Sequence, residues 1–104
     1  MRSVDPEAYQ LYLKGKHYTS LEEFEKARDY FEQAIQKDQS FALSYASLAD
    51  CYRLLSVSGY LPPREAHPKA KAAVLKALEL DDTLAEAHAA LGLQRDVFAD
   101  QGLR

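Results

Sequence analysis

Small and large apolar residues return along this chain at helical intervals. Ala8, Leu11, Gly15 and Tyr18 stand at i, i+3, i+7 and i+10, one face of an α-helix. Tyr9, Tyr12, Lys16 and Thr19 repeat that spacing one residue later, about 100° round the axis. Two stripes predict two neighbours: one stripe packs on a partner helix and the other faces a different direction. A second helix is predicted over about 24–37, with Phe24, Ala27, Phe31, Ala34 and Ile35 inward. The third is expected over about 41–55 and the fourth over about 67–80, the latter with an apolar stripe of Ala70, Ala73, Val74, Ala77 and Leu78. A fifth follows, through about residue 98, and the pattern predicts no strand.

Local chemistry sets the ends. Asp5 can cap free N–H groups, Pro6 stands where none is needed, and Glu7 meets the positive end of the dipole. Ser40 is the expected cap of the third helix. Gly59, Pro62 and Pro63 mark a loop over about 56–64, since none suits a helix interior. Pro68 lies too early in the fourth helix to sit comfortably inside it, so regular helix is placed from about His67. Thr83 and Glu86 have the spacing of a capping box. Residues 99–104 read as a frayed end.

The stripes also repeat as a unit. The series Leu11, Gly15, Tyr18, Ala27, Phe31, Ala34 returns after 34 residues as Tyr45, Ala49, Tyr52 and, after nine inserted residues, as Ala70, Val74, Ala77. An incomplete copy opens at Ala85 with His88, Leu91 and Gly92. Such periods mark stacked supersecondary units, which hold partners more often than they perform chemistry. These residues resemble the tetratricopeptide repeat, with departures at Lys14, Gln39, Asp82 and Arg95. The resemblance implies an all-α fold, a tetratricopeptide-type α-solenoid of five helices. It divides a single domain, 1–104, into a repeat at 8–41, a repeat at 42–84 carrying the inserted loop, and a partial repeat at 85–98. Gly15, Ala49 and Gly92 would let helix axes approach closely.

In that family the first helix of each repeat lines a concave groove for an extended peptide. The resemblance therefore assigns groove positions to Tyr9, Tyr12, Lys16 and Thr19, then Leu43, Ala46, Asp50 and Arg53, then Glu86, Ala89, Leu93 and Asp96. With Lys16 and Arg53 towards the first two repeats and Glu86 and Asp96 in the third, the field along the groove should run from basic to acidic. The family's clamp for a C-terminal carboxylate is absent, because its positions hold Tyr12, Lys16, Ser47, Glu86 and Ala90. The stretch from Asp5 to Gly15, and the insert ahead of Lys76–Asp82, look like repeat regions of bacterial regulators. There, repeats follow a kinase or a winged-helix DNA-binding domain. Neither stands in these residues, so only the adaptor role carries over.

Composition narrows the alternatives. Thirteen basic and sixteen acidic residues are interleaved, for a net charge of −3. Nucleic acid needs a concentrated basic face, and an anionic membrane gains nothing here. No signal peptide or apolar stretch of membrane length is evident, which fits a cytoplasmic location. Cys51, the single cysteine, reads as a small apolar packing residue. His17, His67 and His88 lack metal-site spacing, and His88 reads as a half-buried filler. Glu22, Glu23 and Glu25 crowd an exposed turn and helix start where acids suit the dipole. No nucleophile has an identifiable base, and there is no glycine-rich phosphate loop. The expectation is an interaction module for a peptide or protein, without catalysis, cofactor or metal. Tyr60, Leu61 and Pro62 either form a lip on the groove or pack back on their own repeat. The alternative function is a self-assembling unit in which Val97 and Phe98 of the uncapped last helix pair weakly with a second copy.

Overall fold

The structure, a computed structural model, describes the backbone of residues 3–100 and the side chains of residues 3–92. It is all-α: helices α1 (Pro6–Ser20), α2 (Phe24–Lys37), α3 (Ala42–Val57), α4 (Pro63–Leu80) and α5 (Ala85–Asp100), with no strand among the described residues. Each helix packs on the next in sequence. The odd-numbered helices also meet one another, α3 lying against both α1 and α5. Helices α1, α3 and α5 thus share one side of the molecule, and α2 and α4 lie behind them.

Helix α1 starts as its sequence dictates. Asp5 Oδ1 accepts hydrogen bonds from the Glu7 and Ala8 amides at 2.8 and 3.1 Å, with Pro6 in the first turn. The other turns depart from expectation. Ser40 does not cap α3; Phe41 occupies that position without a side-chain bond. Asp38 Oδ1 instead accepts from the Ser40 amide at 3.0 Å. The capping box at Thr83 does not form either. Thr83 donates through its amide and its hydroxyl, at 3.0 and 2.7 Å, to Asp81 Oδ1. In both turns an aspartate closing a helix captures the amide two residues on, and the next helix begins two residues beyond that serine or threonine, at Ala42 and Ala85, so neither stands at the cap position. The backbone angles agree as well: Asp38 lies at φ −145°, ψ 96° and Asp81 at φ −153°, ψ 96°.

The insert is mostly helix. Measured from Tyr18 and Tyr52, α3 outruns α1 by three residues and ends at Val57, because Leu55 is fully buried and holds the extra turn in place. Helix α4 begins at Pro63, four residues ahead of the position that matches Phe24 at the start of α2. Pro63 suits a first helical position. The Glu65 and Ala66 amides donate to Pro62 O at 3.0 Å each, and buried Ala66 and His67 anchor the turn. Pro68 is therefore inside α4, contrary to expectation. It forgoes only the bond its N–H would make to the Arg64 carbonyl, at the exposed start of the helix.

Phe31, Leu55 and Val74 are the largest fully buried side chains. Burying each stabilises the fold by roughly 1.5–3 kcal/mol. Gly15 is required by Phe31: a Cβ there would lie 2.5 Å from Phe31 Cε1. Gly92 has no such neighbour among the described residues. Three bonds tie α2 to α3: Ser44 Oγ to Phe31 O at 3.2 Å, Cys51 Sγ to Phe24 O at 3.0 Å, and Tyr52 Oη to Glu32 Oε2 at 3.4 Å.

Candidate functional site

The shared side of α1, α3 and α5 holds a cleft of about 200 Å³. Lys16 and Thr19 line it from α1, Ala46, Ser47 and Asp50 from α3, and Glu86, Ala89 and Ala90 from α5. Six of the twelve residues assigned to a groove by sequence meet there. The three helices contribute residues at i and i+3 or i+4, which are neighbours on a helix surface.

Tyr12 is a core residue. Its ring is 8% exposed and lies 5.9 Å from Phe31 and 5.2 Å from Phe41. Burial pushes its hydroxyl pKa up, a polar contact with Ser47 opposes this, and the Glu86 carboxylate adds to it. Ser47 and Glu86 line the cleft, so Tyr12 meets the site from beneath. An α1 surrounded on two sides needs more apolar face than one stripe supplies, which is why its second stripe turns partly inward.

Tyr9 is 45% exposed and stacks on Tyr12 at 6.1 Å, beyond the residues that line the cleft. Leu43 is half-buried against the core. Arg53 leaves the cleft to Asp50, which it binds through Nη2 at 2.7 Å and Nε at 3.2 Å. Their side chains are 28% and 44% exposed, so this pair contributes little stability and chiefly neutralises the middle of the cleft. Lys16 on one wall and Glu86 on the other remain as its outer charges. Leu93 and Asp96, and the Val97 and Phe98 strip, lie outside the residues whose side chains are described, so the acidic end rests on Glu86. Ser47 and Ala90 also line the cleft, although by sequence they stand out only as positions of the missing clamp.

Other features are structural. Cys51 is 1% exposed, and burial pushes its thiol up to about 12, so no thiolate forms near neutrality. His88 is exposed, not half-buried, and its Nε2 lies 2.7 Å from Asp82 O. Among the described residues no three His, Cys, Asp or Glu side chains are placed to hold a metal ion. No described helix is long and apolar enough to cross a membrane. In the insert, Leu61 packs back on the core, whereas exposed Tyr60 borders a separate hollow beside Glu22–Lys26. It forms no lip on the cleft.

No family model matches the chain. An alignment of 104 positions, covering 96% of this chain, is 29% identical to the transcriptional regulator HilA of Salmonella typhimurium, with the same figures for HilA of Salmonella typhi and Salmonella paratyphi A. The chain spans about 18% of the length of these curated relatives, so the similarity is to one part of a longer regulator.

Proposed function

We propose that the chain is a tetratricopeptide-type α-solenoid whose cleft between α1, α3 and α5 holds an extended segment of a partner protein, without catalysis. The observation that carries this reading is the convergence of Lys16, Asp50 and Glu86 from three helices separated in sequence, over small residues that leave room for a main chain. The twin turns at Asp38 and Asp81 support a repeated unit. Similarity to part of a transcriptional regulator suits an adaptor segment that recruits another protein.

A bound segment runs with acidic residues near Lys16 and basic residues near Glu86. The test is a peptide array probed with wild type and with Lys16→Glu/Glu86→Lys. Both residues are exposed, so the fold should survive the exchange. Wild type should select segments acidic at one end and basic at the other, the variant should reverse that order, and salt should weaken both. Hits that share no charge order, or that the exchange leaves unchanged, sink the reading.

A further inference from the structure

None of the residues that line the cleft is a large apolar one; its apolar groups are Ala46, Ala89 and Ala90. Exposed charges alone grip a segment weakly, and a firm hold calls for a large apolar contact beside them. Helix α1 supplies one. Tyr9 and Leu13 are 45% and 41% exposed and stand one turn apart, neighbours on the helix surface. Lys16, which lines the cleft, follows three residues after Leu13. Matching positions on α3 show where this face looks: Leu13 corresponds to Ser47 and Lys16 to Asp50, and both α3 residues line the cleft. Among the described residues, no other two exposed large apolar side chains stand one turn apart on a helix. Tyr9 is also held in place, its ring stacked on buried Tyr12 with centroids 6.1 Å apart and planes 29° from parallel. A ring fixed in this way loses little freedom when a partner lies on it.

This edge is not built to receive a further stacked helix. Ser44 and Cys51, by which α3 is bonded to α2, correspond on α1 to exposed Gln10 and His17. Lys14 and His17 lie instead against Tyr30 and Tyr18 of their own hairpin, at 5.7 and 5.4 Å.

We propose that Tyr9 and Leu13 form an anchor site at the Lys16 end of the cleft for an aromatic side chain of the bound segment, two residues away from an acidic one. The inference rests on the reading of the cleft as a binding site. The middle of the Tyr9–Leu13 pair stands five residues from Lys16, about 7.5 Å along the helix. Two residues of extended chain cover about 7 Å and turn their side chains the same way. The partner's ring thus lies on Tyr9 and against Leu13 while its carboxylate reaches Lys16. Offset stacking on Tyr9 favours an aromatic ring over an aliphatic side chain of equal size.

The experiment measures fluorescence anisotropy of two labelled, blocked peptides with the whole chain at low salt. Both carry glutamates at one end and lysines at the other. One has phenylalanine two residues outside the nearest glutamate, the other serine. Wild type should bind the phenylalanine peptide about tenfold or more tightly than the serine peptide. Tyr9→Ser should remove most of that difference and leave the serine peptide unaffected. Leu13→Ser, an exposed change, reads the same loss should Tyr9→Ser disturb Tyr12 beneath it. Lys16→Glu/Glu86→Lys should weaken both peptides. Charge-dependent binding without a preference for phenylalanine sinks the anchor and leaves the cleft. A preference that needs Tyr9 and Leu13 but ignores the charge exchange supports the anchor and sinks the cleft. Binding of neither peptide by wild type overturns the proposal. So does self-association of wild type that Leu13→Ser abolishes, which would give this edge to a second copy.

Discussion

Hairpins α1–α2 and α3–α4 share a register but fill the space between their helices in opposite ways. In the first, a glycine faces a phenylalanine: Gly15 leaves room for Phe31, whose ring carbon is 2.5 Å from where a Cβ would stand. In the second, the matching positions hold Ala49 and Val74, both buried in the same core, and the methyl gained on one helix offsets part of the bulk lost on the other. The outer faces differ too. Where α3 turns Ser44, Leu48 and Cys51 towards α2, α1 has Gln10, Lys14 and His17, all exposed. The turns use different residues for one conformation. Glu22 takes positive φ, 59°, where the second hairpin has Gly59 at 86°. Packing volume is thus shared across a pair of positions, a gain at one partly offsetting a loss at the other, and a single residue read alone misleads about its role.

The largest effect should come from deleting the bulk of the first pair. Phe31→Ala is expected to cost about 3–5 kcal/mol, Val74→Ala clearly less, and Glu25→Ala close to nothing. Denaturant unfolding of the three variants gives the ranking, and a Val74→Ala loss as large as that of Phe31→Ala would break the asymmetry between the hairpins. Next comes the pair itself. Gly15→Ala should cost about 1–3 kcal/mol through overpacking, whereas Gly15→Ala combined with Phe31→Val rebuilds the Ala49–Val74 arrangement and should recover part of the loss. Additive effects in that double-mutant cycle would mean the two positions do not share volume.

Alkaline pH gives a third, smaller effect. Burial raises the folded pKa of Cys51 from 9.0 to about 12 and also raises those of Tyr12 and Tyr52. These acids are neutral in both states below their unfolded values, so the fold keeps its full stability there. Above about pH 9 the unfolded thiol ionises first, and stability falls as pH rises towards 12. Cys51→Ala should flatten the lower part of that slope in melts across the alkaline range. Stability that holds constant up to pH 11 in wild type would contradict the burial of these groups. The smallest effect concerns the turns. Glu22→Gly relieves a left-handed residue and should gain a few tenths of a kcal/mol, whereas Gly59→Ala should lose about 1 kcal/mol. Melting temperatures that move the same way for both would show that the two turns are not equivalent.

Much of this was legible from local chemistry. The stripe from Ala8 to Tyr18, the Asp5-Pro6 start and the stripe from Phe24 to Ile35 predict the observed start of α1 and both bounds of α2, because each is decided by neighbours within one or two turns. The residues of the cleft were half legible. Lys16, Thr19, Asp50, Glu86 and Ala89 stand where the helical period puts them, and Ala46 forms part of the floor. Tyr12 and Leu43 went inward and Arg53 turned to Asp50. No spacing rule distinguishes these outcomes.

What the sequence by itself determined was the number of helices, their inward stripes and the two-fold recurrence of one hairpin, since the hydrophobic period and the signals at helix ends act over short range. Tertiary structure decided the rest. It drew the insert into α3 and α4, because Leu55 and Ala66 found places in the core and burial outweighed the helix-breaking tendency of Pro68. It let Asp38 and Asp81 set the turns ahead of α3 and α5, each accepting the amide two residues on and Asp81 also the Thr83 hydroxyl. It chose which of two stripes on α1 reached water, for that depends on how many helices surround α1 and on where Phe31 and Phe41 place their rings.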